Sequence, residues 1–359
     1  MSNKYIGYTS SYLPPEIIQA CGLTPVRLRP GNSLAAADGY LPRNFSVEAR
    51  ALLAAALEGN PSTGSHRPDV LSGGQVVELD AVIFLDEDDM SRRFFDVWAA
   101  YTDIPALGLV PLPRLDNDLA RQRYAQSLAG LAKSLTAISR QPLTDDRLCR
   151  AIDLYNKQRA LWRTLRQRWV DGSLSAGDWH DLRWLALTTD PETANPELAA
   201  ISQNGQALDT SATRAPRLLI LGAMHVPHHF LAFLETCGAR VVAEDSEADE
   251  RTLTEVILDH SQSPLESLAA AYLNKPPGPR PNALSRRMKH VNQLLDEREV
   301  QGVIAYYPKF ADSYLAEYLV LAEVFKARSL PALLLEDDGE SGFSGQQRTR
   351  LEAFLELLS

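Results

Sequence analysis

A chain of 359 residues, 45% apolar and 23% charged, has the composition of a soluble globular protein and enough material for two or three domains. Its formal net charge of −10 argues against a nucleic-acid binder, which needs a basic face, and against binding to anionic lipid. There is no charged-then-apolar leader and no apolar run long enough to span a bilayer. Cys21, Cys149 and Cys237 show no CxxC spacing, so a cytoplasmic protein without disulfides or a zinc site is expected.

The first third alternates short apolar runs with helical patterns. "KYIGYTS" predicts a strand, "PPEIIQACG" a helix opened by proline and closed by Gly22, and "TPVRLRP" a second strand. "SVEARALLAAALEG" predicts a helix capped by Ser46. A Gly, Ser and Pro-rich loop over 59–75 follows, and its "LSGGQ" lacks the lysine of a nucleotide-binding loop and reads as a flexible turn. The strand "DAVIFLDE", the helix "MSRRFFDVWAAY" and the buried strand "IPALGLVPLP" complete this part. From 116 to 208 the rhythm changes to three amphipathic helices with no strand between them, the second carrying Leu148, Ile152, Leu154, Tyr155, Leu161 and Leu165 at helical spacing. The Trp and Tyr residues there read as core. A polar stretch over 204–216 reads as a linker.

The last third repeats the earlier rhythm through "RLLILGA", "VPHHFLAFLETCG" ending at Gly238, "ARVVAEDS", two helical stretches, "GVIAYYP", a helix over about 312–327, "PALLLEDD" and the closing "GQQRTRLEAFLELL". The fold class expected is α/β, with two Rossmann-like parallel-sheet domains, 1–115 and 209–359, around a helical segment, 116–208. In such sheets ligands bind beyond the carboxyl ends of the strands. Those ends are residues 9–11, 86–89, 222–225, 244–246, 308–311 and 336–339.

Three features there invite chemistry. Asp86, Glu87, Asp88 and Asp89 precede Arg92 and Arg93; they suit a helix start with local ion pairs, a hard-cation site or a polar pocket. His225, His228 and His229 open a helix with spacing reminiscent of metal ligands, yet no acidic third ligand is indicated. "SGFSGQQRTR", with Arg348 and Arg350, suits either an anion cradle or a turn and cap with the arginines paired to Glu336 or Asp337.

Taken together, "GYTSSYLPPEIIQACGLTPVRL", "DDMSRRFFDVW", "GVIAYYPKFADSY" and "LPALLLEDD…SGQQRTRLEAFLELL" resemble the 2-hydroxyacyl-CoA dehydratase and benzoyl-CoA reductase subunits, in order and over nearly the whole chain. The resemblance implies lyase or reductase chemistry on an acyl-CoA thioester. It also implies a homologous partner subunit, an ATP-driven iron–sulfur activator, and a four-iron cluster held by three cysteines. Those cysteines would fall at Ser46, Asp88 and Ala311, and a further one often found in the first motif would fall at Ser10. None of the four is cysteine here, and thiolates are what such clusters require.

The resemblance therefore implies a chain without its own cluster and with no metal site. Its expected partner is a cluster-bearing homologous subunit or a second copy. An alternative is a fold reused to bind acyl-CoA or to act as an acid–base lyase, with Ser10, Ser46, Asp88 and Asp89 as pocket groups. A third reading, a cluster assembled on Cys21, Cys149 or Cys237, is disfavoured because these cysteines lie elsewhere in the motif frame. Asp89, Arg348 and Arg350 are the substrate-binding candidates, and the catalytic residues stay unassigned.

Overall fold

The computed structural model describes residues 3–31, 33–58, 71–72, 75–76, 78–114, 117–203, 215–279, 283–339 and 344–358. Most of the 59–75 loop and the 204–216 linker therefore lie outside the described residues. The chain divides into two units: Met1–Ala160 with Leu185–Leu198 and Thr254–Lys275, and Leu161–Trp184 with Ala199–Leu253 and Pro276–Ser359.

The first unit is built on β1 (Tyr5–Tyr8), β2 (Thr24–Arg27), β5 (Leu79–Asp86) and β6 (Ala106–Pro111), all parallel, in the order β2-β1-β5-β6. These runs are mostly apolar, as expected of a parallel sheet whose faces are covered by helices. The helices are α1 (Pro15–Ala20), α2 (Val47–Leu57), α3 (Asp89–Tyr101), α4 (Asp118–Ser139) and the start of α5 (Asp145–Asp171). Gly22 takes φ +75° just past α1, the left-handed turn that lets a helix stop and a strand begin. On α3, Phe94 and Trp98 pack edge-on against Phe84 of β5, at ring separations of 5.5 Å each, and the indole N–H of Trp98 donates to the Ile104 carbonyl at 3.0 Å. Two short strands, β3 (Leu71–Ser72) and β4 (Gln75–Val76), pair antiparallel where the sequence reads only as a flexible turn.

The middle of the chain is helical: α5, α6 (Ala176–Thr188) and α7 (Pro191–Gln203). The last of these is absent from the sequence reading. Its "PETANPE" start has loop composition, but Pro191 suits a first helical turn, Asp190 accepts from the Glu192 amide at 2.9 Å, and Ala194 and Leu198 are buried. Trp162, Trp169, Trp179 and Trp184 are all buried, with Trp169 and Trp179 stacked at 5.5 Å. They are core, as the sequence reading has them.

The second unit repeats the plan with β7 (Arg217–Leu221), β8 (Arg240–Asp245), β9 (Gly302–Pro308) and β10 (Ala332–Asp337), parallel in the order β10-β9-β7-β8. Its helices include α8 (His228–Thr236), α10 (Leu284–Glu297), α11 (Asp312–Ala327) and α12 (Gly345–Leu358), while α9 (Pro264–Leu273) belongs to the first unit. Two four-stranded parallel sheets flanked by helices match the α/β class and the two Rossmann-like halves expected. Among the described residues no helix is long and apolar enough to cross a membrane.

Candidate functional site

Each sheet reverses its direction of growth once. In the first unit the chain adds β2 on one side of β1 and returns to place β5 and β6 on the other; in the second it adds β8 beside β7 and then β9 and β10 opposite. Adjacent loops diverge at such a reversal and leave a crevice where ligands of this fold class bind. By that rule the crevice of the first sheet is expected between residues 9–11 and 87–89, and that of the second between 222–225 and 309–311.

Ser10 and Asp88 thus leave neighbouring strands of one sheet. Ser10 is 2% exposed, and its Oγ accepts from the Tyr12 amide at 3.0 Å. Asp88 is the N-cap of α3: its Oδ1 accepts from the Ser91 amide at 2.7 Å and from the Ser91 hydroxyl at 2.6 Å. Asp86 takes Arg92 in a two-pronged pair at 2.6 and 3.1 Å, and the exposed Asp89 lies 3.9 Å from Arg93. Three of the four acids are therefore engaged in starting and pairing one helix. Ser46 is the buried N-cap of α2, its Oγ accepting from the Ala49 amide at 3.4 Å.

Behind the first crevice lies a buried polar cluster that the sequence reading missed. Lys275, 2% exposed, donates to the Ser11 carbonyl at 3.0 Å and rests 3.6 Å from the centroid of the Tyr272 ring. The Tyr272 hydroxyl donates to Glu16 at 2.8 Å, and Arg159 reaches both Glu16 and, at 3.0 Å, the Tyr272 oxygen. Burial, and after it the nearby Arg159 charge, holds the Lys275 amine well below the ordinary lysine range. Burial and the Glu16 carboxylate push the Tyr272 phenol up. For Arg159, burial opposes the charge, but Glu16 and Tyr272 outweigh it and the net shift is upward. The Tyr124 hydroxyl also anchors this loop, donating to the Tyr12 carbonyl at 2.6 Å.

In the second unit a denser ionic network stands at the end of β8. Glu244, Asp245 and Ser246 are fully buried. Asp245 pairs closely with Arg287 and lies 3.6 Å from both Arg251 and His290; Arg287 also bonds Glu317 at 3.0 and 3.1 Å. Arg183 meets Glu244 at 2.8 Å and Asp249 at 3.5 Å. Burial alone would raise the Asp245 carboxyl, but Arg287, Arg251 and His290 overcome it and hold it far below the usual carboxylate range. The sequence signal is two acids, Glu244 and Asp245, directly after the apolar Val241, Val242 and Ala243.

At the ends of β9 and β10, the Lys309 amide donates to the Asp337 carbonyl at 2.7 Å and its Nζ lies 3.4 Å from Asp338. Asp337 accepts from the Gly339 amide at 2.9 Å; burial raises its carboxyl, against the Tyr306 hydroxyl and the nearby His229. Ala311 is the N-cap position of α11 and has no side-chain cap. The three histidines look to different neighbours: His225 meets the Trp184 ring edge-on at 5.8 Å, His228 the His180 ring at 5.4 Å, and His229 the Asp337 charge. Among the described residues no group of three or more His, Cys, Asp or Glu side chains is placed to hold a metal ion.

Residues 341–343 of the "SGFSGQQRTR" segment lie outside the described residues. Further along it, the Ser344 amide is taken by the Gln347 side chain at 2.9 Å. Arg348 bonds Glu352 at 3.0 Å and lies 5.3 Å over the Phe233 ring, while Arg350 donates to the Leu334 carbonyl at 2.9 Å. Neither arginine takes Glu336 or Asp337 in these contacts. The described cysteines are free: Cys21 buried, Cys149 half-buried and Cys237 exposed.

Two doubly wound parallel sheets, each with one reversal of strand order, define a double Rossmann-like α/β protein. The chain belongs to the 2-hydroxyglutaryl-CoA dehydratase, D-component family, whose model matches residues 10–358. It is 21% identical over 360 residues to the (R)-phenyllactyl-CoA dehydratase beta subunit of Clostridium sporogenes, covering 99% of this chain and 92% of that one. It is 23% identical over 367 residues to a benzoyl-CoA reductase subunit of Thauera aromatica, covering 95% and 87%. A putative dehydratase subunit of Escherichia coli (strain K12) is 24% identical over 373 residues, covering 98% and 91%.

Proposed function

We propose that this chain is the cluster-free member of a dehydratase- or reductase-type assembly, acting as the non-redox partner of a homologous, cluster-bearing subunit in the cytoplasm. Relatives that are themselves named as single subunits of a dehydratase or a reductase support membership of a multi-chain system. The observation that carries the cluster-free reading is the chemistry at the three positions where the resemblance puts cluster ligands. All three are helix N-cap positions: Ser46 for α2, Asp88 for α3 and Ala311 for α11. Ser46 and Asp88 are good capping residues already bonded to their own helices, and Ala311 offers a methyl group. A neutral hydroxyl, one hard carboxylate and a methyl do not fit an iron–sulfur cluster, which is gripped by soft thiolates. No step through such a cluster is assigned to this chain.

The partner role is tested by mixing the purified full chain with a cysteine-bearing homologous subunit and measuring mass by light scattering. A stable hetero-complex is expected; a chain that stays separate from every such homologue removes the reading. Anaerobic reconstitution of the chain alone, followed by iron and sulfide assay, addresses the cluster separately. Protein that is colourless and iron-free is expected, and stoichiometric iron with sulfide would refute it.

A further inference from the structure

A cavity of about 620 Å³ lies wholly within the first unit, between β6 and α4. Its volume is that of a site for a small organic ligand. One wall is residues 107–113, "LGLVPLP", the edge strand β6 and its continuation, with no charged or hydroxyl side chain. The other wall is one face of α4, where Arg123, Gln126, Ser127, Gly130, Leu131 and Ser134 recur at helical spacing and so share a side. From Arg123 to Ser134 this wall runs about 16 Å, at about 1.5 Å of rise per residue.

Charge and backbone both say what this cavity would take. The chain carries 46 acidic side chains against 36 basic ones, yet no carboxylate lines the cavity and its one charged group is Arg123. That guanidinium is exposed and, among the described residues, in no ion pair. The Ser127 hydroxyl donates to the Arg123 carbonyl at 3.0 Å, which leaves its oxygen as an acceptor. Two glycines keep room clear, one on each wall. Gly108 has φ +109°, where β6 carries one residue more than β5: Val82 faces Ala106 and Phe84 faces Leu109. Gly130 has no such need. It stands inside the 22-residue α4, where glycine weakens a helix, and a Cβ there would meet nothing within 4 Å. Packing within the chain therefore does not ask for glycine at 130, whereas a ligand lying close against the helix would.

We propose that this cavity binds a small amphipathic acid, an organic carboxylate whose anion meets Arg123 and whose apolar body lies along residues 107–113 and over Gly130. A guanidinium with no acid beside it in the lining selects a carboxylate, which it can take with two parallel hydrogen bonds. The apolar strand wall and the bare backbone at the two glycines suit a chain or a flat ring. An added peptide strand fits less well, because Pro111 and Pro113 have no amide to offer and the extra residue at Gly108 interrupts a ladder along the edge of β6. The site does not depend on the subunit reading, since it needs neither a cluster nor a second chain.

Calorimetric titration of the purified full chain with octanoate tests this. Saturable one-to-one binding is expected. Acetate, which has the charge without the body, and octanamide, which has the body without the charge, should each bind at least about fivefold more weakly. Arg123→Gln should weaken octanoate about fivefold and bring it level with octanamide. Gly130→Leu should fill the cavity and abolish binding while leaving Tm at or above that of wild type, because leucine is the better helix former and the space is open. If Gly130→Leu melts early, Arg123→Gln and the comparison with octanamide decide alone. Wild type that takes up neither octanoate nor the flat-ringed 3-phenylpropanoate overturns the proposal. So does binding that both variants leave unchanged, which would put the acid elsewhere on the chain. Octanamide bound as tightly as octanoate would remove the acid from the ligand class, and uptake of an extended acidic peptide without octanoate would make the occupant a strand.

Discussion

Lys275 sets its Nζ 3.0 Å from the Ser11 carbonyl and 3.6 Å from the centre of the Tyr272 ring, with 2% of the residue exposed. Burial, and after it the Arg159 charge close by, disfavours the protonated form of this amine and holds it well below the ordinary lysine range.

That arrangement predicts a pH dependence with a definite sign. The folded amine has a lower pKa than the unfolded one, so between the two values the unfolded chain binds the extra proton. Stability from this group therefore rises with pH up to the ordinary lysine value of about 10.4, and is lost as pH falls through the folded value. Lys275→Met removes the titration. Urea unfolding of both proteins across the alkaline range should show the variant gaining on wild type as pH is lowered. Parallel curves would show that the amine is not depressed.

The Asp245 network predicts the opposite member of the pair. Its carboxyl is held low by Arg287, Arg251 and His290 against its own burial, so its stabilising contribution is present above the unfolded value of about 3.9 and lost as pH falls below it. Asp245→Asn leaves Arg287 with one buried partner fewer and should cost about 3–5 kcal/mol at neutral pH. The gap to wild type should close on acidification through that carboxyl range. A gap that stays constant down to strongly acid pH would assign the loss to packing rather than to charge.

Much of the fold could be read from local pattern, because its determinants are local. The span of α11, the cap at Ser46 and the stops at Gly22 and Gly238 depend on residues within a turn of each other. So does the helix-starting role of Asp88. The buried clusters depend on pairings across the chain: Tyr272 and Glu16 are 256 residues apart, and Lys275 and Ser11 are 264 apart. Nothing near Glu16 distinguishes it from an ordinary acid in a helix's first turn. The left-handed turn at Phe310, φ 66°, escaped for another reason: "PKFADSY" carries no glycine or asparagine to announce it.

The two glycine stops separate backbone strain from crowding. Gly22 and Gly238 have nearly the same φ, +75° and +78°, so alanine at either meets the same left-handed penalty, about 1–2 kcal/mol. A Cβ at Gly238 would meet nothing within 4 Å, whereas one at Gly22 would lie 2.6 Å from the Gln141 side chain. Thermal unfolding should therefore show Gly22→Ala to be the more destabilising, and adding Gln141→Ala should bring the two into line. Equal losses in the single variants would mean that the flexible Gln141 amide swings aside at no cost.

The reading of Ser46 and Asp88 as helix caps makes the last prediction. A cap works through an acceptor oxygen on a short side chain, so the replacements that matter are those that delete the oxygen. Ser46→Ala and Asp88→Ala should each lower stability by about 1 kcal/mol, while Asp88→Asn should recover most of it. Asp88→Asn also removes the charge near the start of α3, which should cost a few tenths of a kcal/mol at this partly exposed terminus. Binding of the cysteine-bearing homologue should not differ between Asp88→Asn and wild type, because a cap needs the acceptor and not the negative charge. If Asp88→Asn keeps full stability but loses the partner, the carboxylate has a role beyond its helix, and the polar-pocket reading of this acid cluster would replace the capping one.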